Sequence, residues 1–588
     1  MALSVAGLRI ELVGREITGR PVPGRPRRAY GPFLSGLPAL ALISLLLVPI
    51  VITVAAAFRM SDGPGLGNFA VLKEPQALRA IVNSVIWIGV ALALVVAGFW
   101  VALAGRRVPR LWPALRLVLV FPFAVAVLIS GAAFRIIFDP APERGTVTAL
   151  VTGIFGESPV WLGPGLFWFV VVSAFAWTWL GYVASLFRAG LDAIPADLAR
   201  TVEAEGVRGW RRLLAVELPL LRPITGVVTL TLVVAAVRLF DLVLGAVPAS
   251  MHDDANVLGL HWWRVSSEGE GRPAALALVL FAVAAAVALL GMRGLRRSWA
   301  VPDGAHSGAS GAAQDVRTTA RTRRRWAVVV APLALLWAMP ALVLLATALH
   351  DPDAAGVAGW WRAEGIGFDS FTEISNAALW WSLLSTALIA LIATLLVVGI
   401  GVVTAYLLAW GGLPRWLGRA AVTAFVVLAV APVQLYAAPL RAAATAAGVA
   451  GSPVFLGLVH AAAGLPFAVL LLRAAFASVP PSLVAEALHG QTTYSSAIAR
   501  VSGACRPALV AVAVLEFVLV WNDFIVGFLI SGAGSSPLSL LLWGEAKQFA
   551  TSAGPVAATA VVASVVPVVL LLTTWSTVVR GLTAGTAP

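Results

Sequence analysis

Long apolar stretches without the polar–apolar alternation of a strand divide the chain into two sets of six. The first set runs roughly Leu37 to Phe58, Ile81 to Ala104, Leu115 to Phe134, Phe167 to Leu186, Pro219 to Leu244 and Ala274 to Met292. The second runs Trp326 to Leu349, Ala378 to Leu408, Ala420 to Leu440, Val454 to Leu472, Ala508 to Ile530 and Val556 to Val578. At about 1.5 Å per residue, such runs cross a hydrocarbon core of roughly 30 Å as helices. Lipid offers the backbone no hydrogen-bond partner, so a span must be a helix or part of a closed barrel, and continuous apolarity selects the helix. The predicted fold class is an all-α polytopic membrane protein, two homologous six-helix bundles in one chain with about 12 transmembrane helices.

Composition agrees. Of 588 residues, 60% are hydrophobic and 12% charged, and the mean hydropathy is +0.93, which excludes an ordinary water-soluble domain. The net charge of +13 invites a nucleic-acid partner, but its distribution argues against one. Arginines cluster beside apolar spans, at Arg25, Arg27 and Arg28, at Arg106, Arg107 and Arg110, at Arg293, Arg296 and Arg297, and at Arg321 and Arg323 to Arg325. This is the positive-inside pattern, and with an even number of spans it puts both termini in the cytoplasm. Acids gather in the alternate loops, as in Asp253, Asp254, Glu268 and Glu270.

The expected organisation is a cytoplasmic segment 1–36, a first half 37–297, a basic flexible linker 298–325, a second half 326–580 and a tail 581–588. The linker assignment rests on the Gly, Ala, Ser and Thr richness of Ser298 to Thr322. The first apolar run is too long for a signal-peptide core and reads as a retained helix. The single cysteine, Cys505, cannot make an internal disulfide and reads as an inert small apolar residue.

Between the fourth and fifth spans of each half lies a repeated segment. Arg188 and Pro195 recur as Arg473 and Pro480 at an offset of 285, while Gly206, Arg222 and Pro223 recur as Gly490, Arg506 and Pro507 at 284. One deletion explains the change of register. Pro195 can open a helix, and Asp197, Glu203 and Glu205 suit its early turns. Gly206 permits a sharp break. Trp210, Leu213, Leu214 and Val216 then make an apolar stripe before Pro219 and Pro223 open the membrane helix. Resting on lipid headgroups would also account for that stripe.

The first copy, at about 190–217, resembles the EAA loop of binding-protein-dependent ABC importer permeases. Glu205, Gly206, Leu218, Pro219, Leu220, Leu221, Arg222 and Pro223 match its carbohydrate-importer version, whereas Arg200, Thr201 and Val202 replace the opening Glu-Ala-Ala. In the second copy, at about 475–503, Gly490 and Pro507 survive, Glu486 and Ala487 are out of register, His489 replaces the acid and Gly503 the first proline. Val520-Trp521-Asn522-Asp523-Phe524 with Ser536-Pro537-Leu538 is similar to the WNDF-type segment of the maltose-type second subunit. Val237 to Asp241 resembles the FD segment of its usual partner.

The resemblance implies a fused type I permease in a prokaryotic cytoplasmic membrane. It would import a carbohydrate or polyol, be fed by an extracytoplasmic solute-binding protein and be driven by two copies of a separate ATP-binding-cassette ATPase. Its coupling residues would be Arg200, Glu203, Glu205, Gly206, Trp210, Pro219, Glu486, Gly490 and Tyr494. ATP and Mg would be used by the partners, with no cofactor or metal on this chain. The two lysines, Lys73 and Lys547, do not follow glycine, so a P-loop is absent.

Polar residues within spans tend to face a bundle interior or a water-filled path. They include Arg238, Asp241, Glu516, Asn522 and Asp523, with Arg238 and Asp241 spaced to clamp one another across a helical turn. Sugar recognition pairs Asn, Gln or Asp with flat aromatic faces, and Trp177, Trp179, Tyr182, Gln434 and Tyr436 offer that chemistry. The scattered histidines read as polar surface residues. An ion-coupled transporter of the major-facilitator type shares the span count, but its G-x-x-x-D-R-x-G-R signature is missing where this chain reads AGRRVPRLW. A membrane-embedded enzyme would need a reactive constellation, and neither a nucleophile with a base nor a His/Cys metal spacing is found.

Overall fold

The computed structural model describes residues 35–61, 63–194, 198, 201–202, 204–206, 209–298, 320–350, 365–484, 494–531, 537–546 and 553–583. Eight of its helices are long and apolar enough to cross a membrane. They are α1 (Leu37–Phe58), α2 (Pro75–Gly105), α3 (Phe167–Asp192), α4 (Gly271–Ser298), α5 (Ala320–Ala348), α6 (Ala377–Trp410), α7 (Pro453–Ala477) and α8 (Ala553–Thr583). Pro75 and Pro453 sit at helix starts, where a missing N–H costs nothing, and the Asn376 side chain accepts from Leu379 N–H at 3.0 Å to cap α6.

Apolar residues surround these helices, yet they divide by neighbour. On α1, Leu42 and Leu46 are buried in the bundle whereas Leu40, Val48 and Val51 are exposed, a face suited to lipid.

Three further spans are bent pairs, and here the expectation of straight helices fails. Leu115 to Phe134 is not one helix, since Trp112–Ala124 and Val127–Ile137 meet at 104°. Pro122 lacks an N–H and Val125 turns extended, which ends the first piece. Before the fifth span, Gly209–Leu220 and Ile224–Val237 meet at 73°, and Ser495–Ala504 and Arg506–Trp521 at 84°. Arg415–Ala429 and Ala437–Ala446 occupy the region of the remaining expected span.

The repeat is kept in space. Helices Arg222–Val237 and Asp241–Ala246 recur as Arg506–Trp521 and Ile525–Ile530 at the sequence offset of 284. Their packing recurs too: α2 lies on α3 and on Arg222–Val237, as α6 lies on α7 and on Arg506–Trp521. Arg222–Val237 also lies on α4, as Arg506–Trp521 lies on α8. The two first helices each pack across the repeat as well as within it, α1 on α4 and α7, and α5 on α8 and Val127–Ile137.

Candidate functional site at the helix breaks and the repeated loop

Both fifth spans stop at corresponding places. Helix Arg222–Val237 ends at Arg238, and Phe240 adopts φ −147° before Asp241–Ala246 starts. Helix Arg506–Trp521 ends at Asn522, and Ile525–Ile530 follows Phe524. The two breaks touch, with Phe240 stacked on Phe524 at 6.5 Å between ring centroids.

A broken helix inside a membrane frees backbone groups that need partners. Asp523 supplies one set, its Oδ2 accepting from Val526 N–H at 2.9 Å and Gly527 N–H at 3.3 Å, and its backbone oxygen accepts from Ser539 Oγ at 2.6 Å. Asn522 reaches across the molecule, its Nδ2 donating to Ala124 O at 2.7 Å. That carbonyl sits at the 104° bend. Asn522→Leu should leave it unsatisfied, a cost of about 1–3 kcal/mol, and lower the melting temperature in detergent; a thermal shift series against Asn522→Gln checks this.

Arg238 is within electrostatic reach of Asp241, Asp523 and Tyr436. It makes no direct ion pair with Asp241, whose Oδ1 instead accepts from Leu242 N–H at 3.2 Å. The one-turn clamp presupposed a continuous helix, and the helix has already ended. His460 Nε2 is 3.8 Å from Asp523 Oδ2, beside a small cavity that they share with Thr386, Val520, Gly527 and Pro537. Gln434 is 2% exposed, and its Nε2 has no hydrogen-bond partner among the described residues. Tyr436 is also buried.

Trp177 is engaged in packing. Its indole N–H donates to Trp337 O at 2.7 Å, and its ring meets Phe121 and Phe134 edge-on or tilted. Glu516 is buried against Gly464.

On the loop, Arg200, Glu203, Glu486 and Gly490 lie outside the described residues, as does the side chain of Tyr494. Glu205 is exposed. Gly206 takes φ +77°, the left-handed region that favours glycine. Trp210 stacks on Trp100 of α2 at 6.3 Å and 9°. Pro219 lies in the short helix Leu218–Leu220 that precedes the bend. The sequence reading missed Glu217. Its carboxylate is 5% exposed and accepts from Arg106 Nη1 at 2.9 Å on both oxygens and from Arg212 Nε at 3.1 Å.

The opposite side carries further ion pairs, Arg79–Asp254 at 2.9 Å, Arg272–Glu268 at 2.7 Å, and contacts of Arg264 with Asp253 and Arg272 with Glu74. Hydrogen bonding from Arg264, then its charge, hold the Asp253 carboxyl below the usual carboxylate range. His252, His261 and His350 are buried there, contrary to the surface reading; His252 Nε2 is 3.0 Å from Val247 O and His350 Nδ1 2.6 Å from Ala346 O.

No family model matches the chain. It is similar to the alpha-glucoside transport system permease protein AglG of Rhizobium meliloti, 31% identical over 229 residues, 37% of this chain and 59% of AglG. It is 26% identical to the osmoprotective compounds uptake permease protein GgtD of Synechocystis over 270 residues, 44% of this chain and 90% of GgtD. It is 37% identical over 163 residues to the sn-glycerol-3-phosphate transport system permease protein UgpA of Brucella abortus, 27% of this chain and 54% of UgpA. The chain thus spans little more than half the length of AglG and UgpA. A bacterial ABC transporter involved in import of the acidic polysaccharide alginate aligns with TM-score 0.40 and 18% identity, covering 45% of this chain and 94% of that one.

Proposed function

We propose that this chain, a multi-pass permease similar to the membrane subunits of sugar importers, carries both permease halves of one ATP-driven importer. Residues 37–297 and 326–580 are the halves. The observation that carries the reading is the repeat, in which the same helix break, helix packing and bent cytoplasmic entry recur at an offset of 284 residues. An alignment covering 90% of GgtD takes up 44% of this chain, as expected for a chain of two permease-sized units.

The cargo is a carbohydrate or polyol, in line with the alpha-glucosides and osmoprotective compounds named for the relatives. It would pass between the halves, where Asp241, Asn522, Asp523, Gln434 and Tyr436 bring hydrogen-bonding groups to the two breaks. The free Nε2 of Gln434 supports this, because a buried donor without a partner is costly and a passing hydroxyl relieves it. Trp177 contributes by holding the halves together. ATP and Mg belong to two ATPase copies, one at each cytoplasmic loop, and both termini are cytoplasmic. A solute-binding protein delivers cargo from the other side.

A mild-detergent pull-down on a tagged chain, followed by mass spectrometry and a sugar and polyol screen on any receptor recovered, tests the proposal. Recovery of an ATP-binding-cassette subunit and a sugar-binding receptor is expected. Transport by the purified chain alone, driven by an ion gradient, would instead establish the major-facilitator-like alternative.

A further inference from the structure

The two loop copies differ at one tie to the membrane helices. In the first copy a widened helical turn over Leu213–Glu217, closed by Leu218 N–H to Leu213 O, turns Glu217 inward. Such turns insert a residue into the helical ladder and re-aim side chains. Arg106, at the C-terminus of α2, meets both carboxylate oxygens at 2.9 Å, and Arg212 adds a third contact at 3.1 Å. Trp210 on Trp100 is a second tie to the same helix.

The second copy lacks both members of the pair. At the 284 offset Glu217 corresponds to Val501, which is fully buried, and Arg212 to Ser496. The helix-end segments AGRRVPR (104–110) and AWGGLPR (409–415) align with Pro109 on Pro414 and Arg110 on Arg415, so Arg106 corresponds to Gly411. Acid and base are absent together, as expected if each is kept for the other. A buried carboxylate without its cation would be strongly destabilising.

We infer that Glu217 is a positioning residue whose ion pairs with Arg106 and Arg212 make the first loop a rigid extension of α2. The second loop lacks this tie, with Val501 and Gly411 at the equivalent positions, and moves more freely against α6. An equal push on both loops therefore turns the first half as one body while part of the second push is absorbed in the loop. This rests on the permease reading for the push itself. It does not rest on it for the stiffness.

The test uses spin labels in a Cys505→Ala background, at positions 110 and 214 across the first loop and at the corresponding 415 and 498 across the second. In nanodiscs the first pair should give the narrower distance distribution. Glu217→Gln and Arg106→Gln should widen the first pair at least twofold and leave the second unchanged, with Arg106→Lys close to wild type. Equal widths, or a first pair unmoved by Glu217→Gln, would overturn the inference. In the complex recovered on a tagged chain, trapping with ATP and vanadate should shift the second pair and not the first. Like shifts in both would also overturn it. Recovery of no ATPase would count against the permease reading alone, the widths still deciding stiffness.

Discussion

Gly181→Val removes folded chain from the membrane. Gly181 lies on α3 where that helix crosses the end of Trp112–Val120, and a Cβ there would stand 1.6 Å from Leu119 O, 2.2 Å from Leu119 C and 3.0 Å from Val120 N. These are backbone atoms one turn before the Pro122 bend, so no rotamer change relieves the clash and the helices must part. Parting them opens the stack of Phe123 on Tyr182 at 4.6 Å and the Thr178–Ser130 hydroxyl contact at 3.3 Å. Overpacking relieved by side chains costs about 1–3 kcal/mol, and a backbone clash lies at or above the top of that range. The monodisperse peak in size-exclusion chromatography after mild extraction should fall at least about tenfold, which corresponds to about 1.4 kcal/mol. Gly153→Val, where the added atom meets nothing within 4 Å, should behave as wild type.

Substituting the loop residues should separate ATP hydrolysis from uptake. Gly206 at φ +77° faces open space, so Gly206→Val acts through the backbone alone, at about 1–2 kcal/mol or more for a β-branched residue in that region. Pro219→Ala loosens the turn that leads into the bend. Combined with Gly490→Val and Pro507→Ala in the second copy, these changes should lower uptake of the receptor's ligand at least about tenfold while the ATPase continues to turn over. Uptake at the wild-type rate would show that the loops transmit nothing.

Helix existence was legible because lipid enforces one rule along each span. The bends were less so. The expected span Leu115 to Phe134 runs straight through Pro122, and the extended turn at Val125 and Ala126 is not recorded by hydropathy. Arg238 and Asp241 were read with helical spacing across a break, so their clamp failed for a backbone reason. Asn522 stood out as a polar residue in a span, whereas its partner is a carbonyl 398 residues away that only the bend exposes. A lone glutamate beside an apolar stripe carries no signal of its own, which is why Glu217 is not legible in the first copy alone. Its signal lay in comparing the copies, where Arg106 and Glu217 give way together to Gly411 and Val501.

If the loops take their motion from a separate ATPase on the cytoplasmic side, a photo-crosslinking amino acid at position 204, with Ala204→Cys in a Cys505→Ala background for thiol labelling, reports it in intact cells. Crosslinking to an ATP-binding-cassette subunit, with position 204 closed to membrane-impermeant reagents added outside, is the expected result. Labelling of position 204 from outside, with no crosslink to such a subunit, would contradict the account.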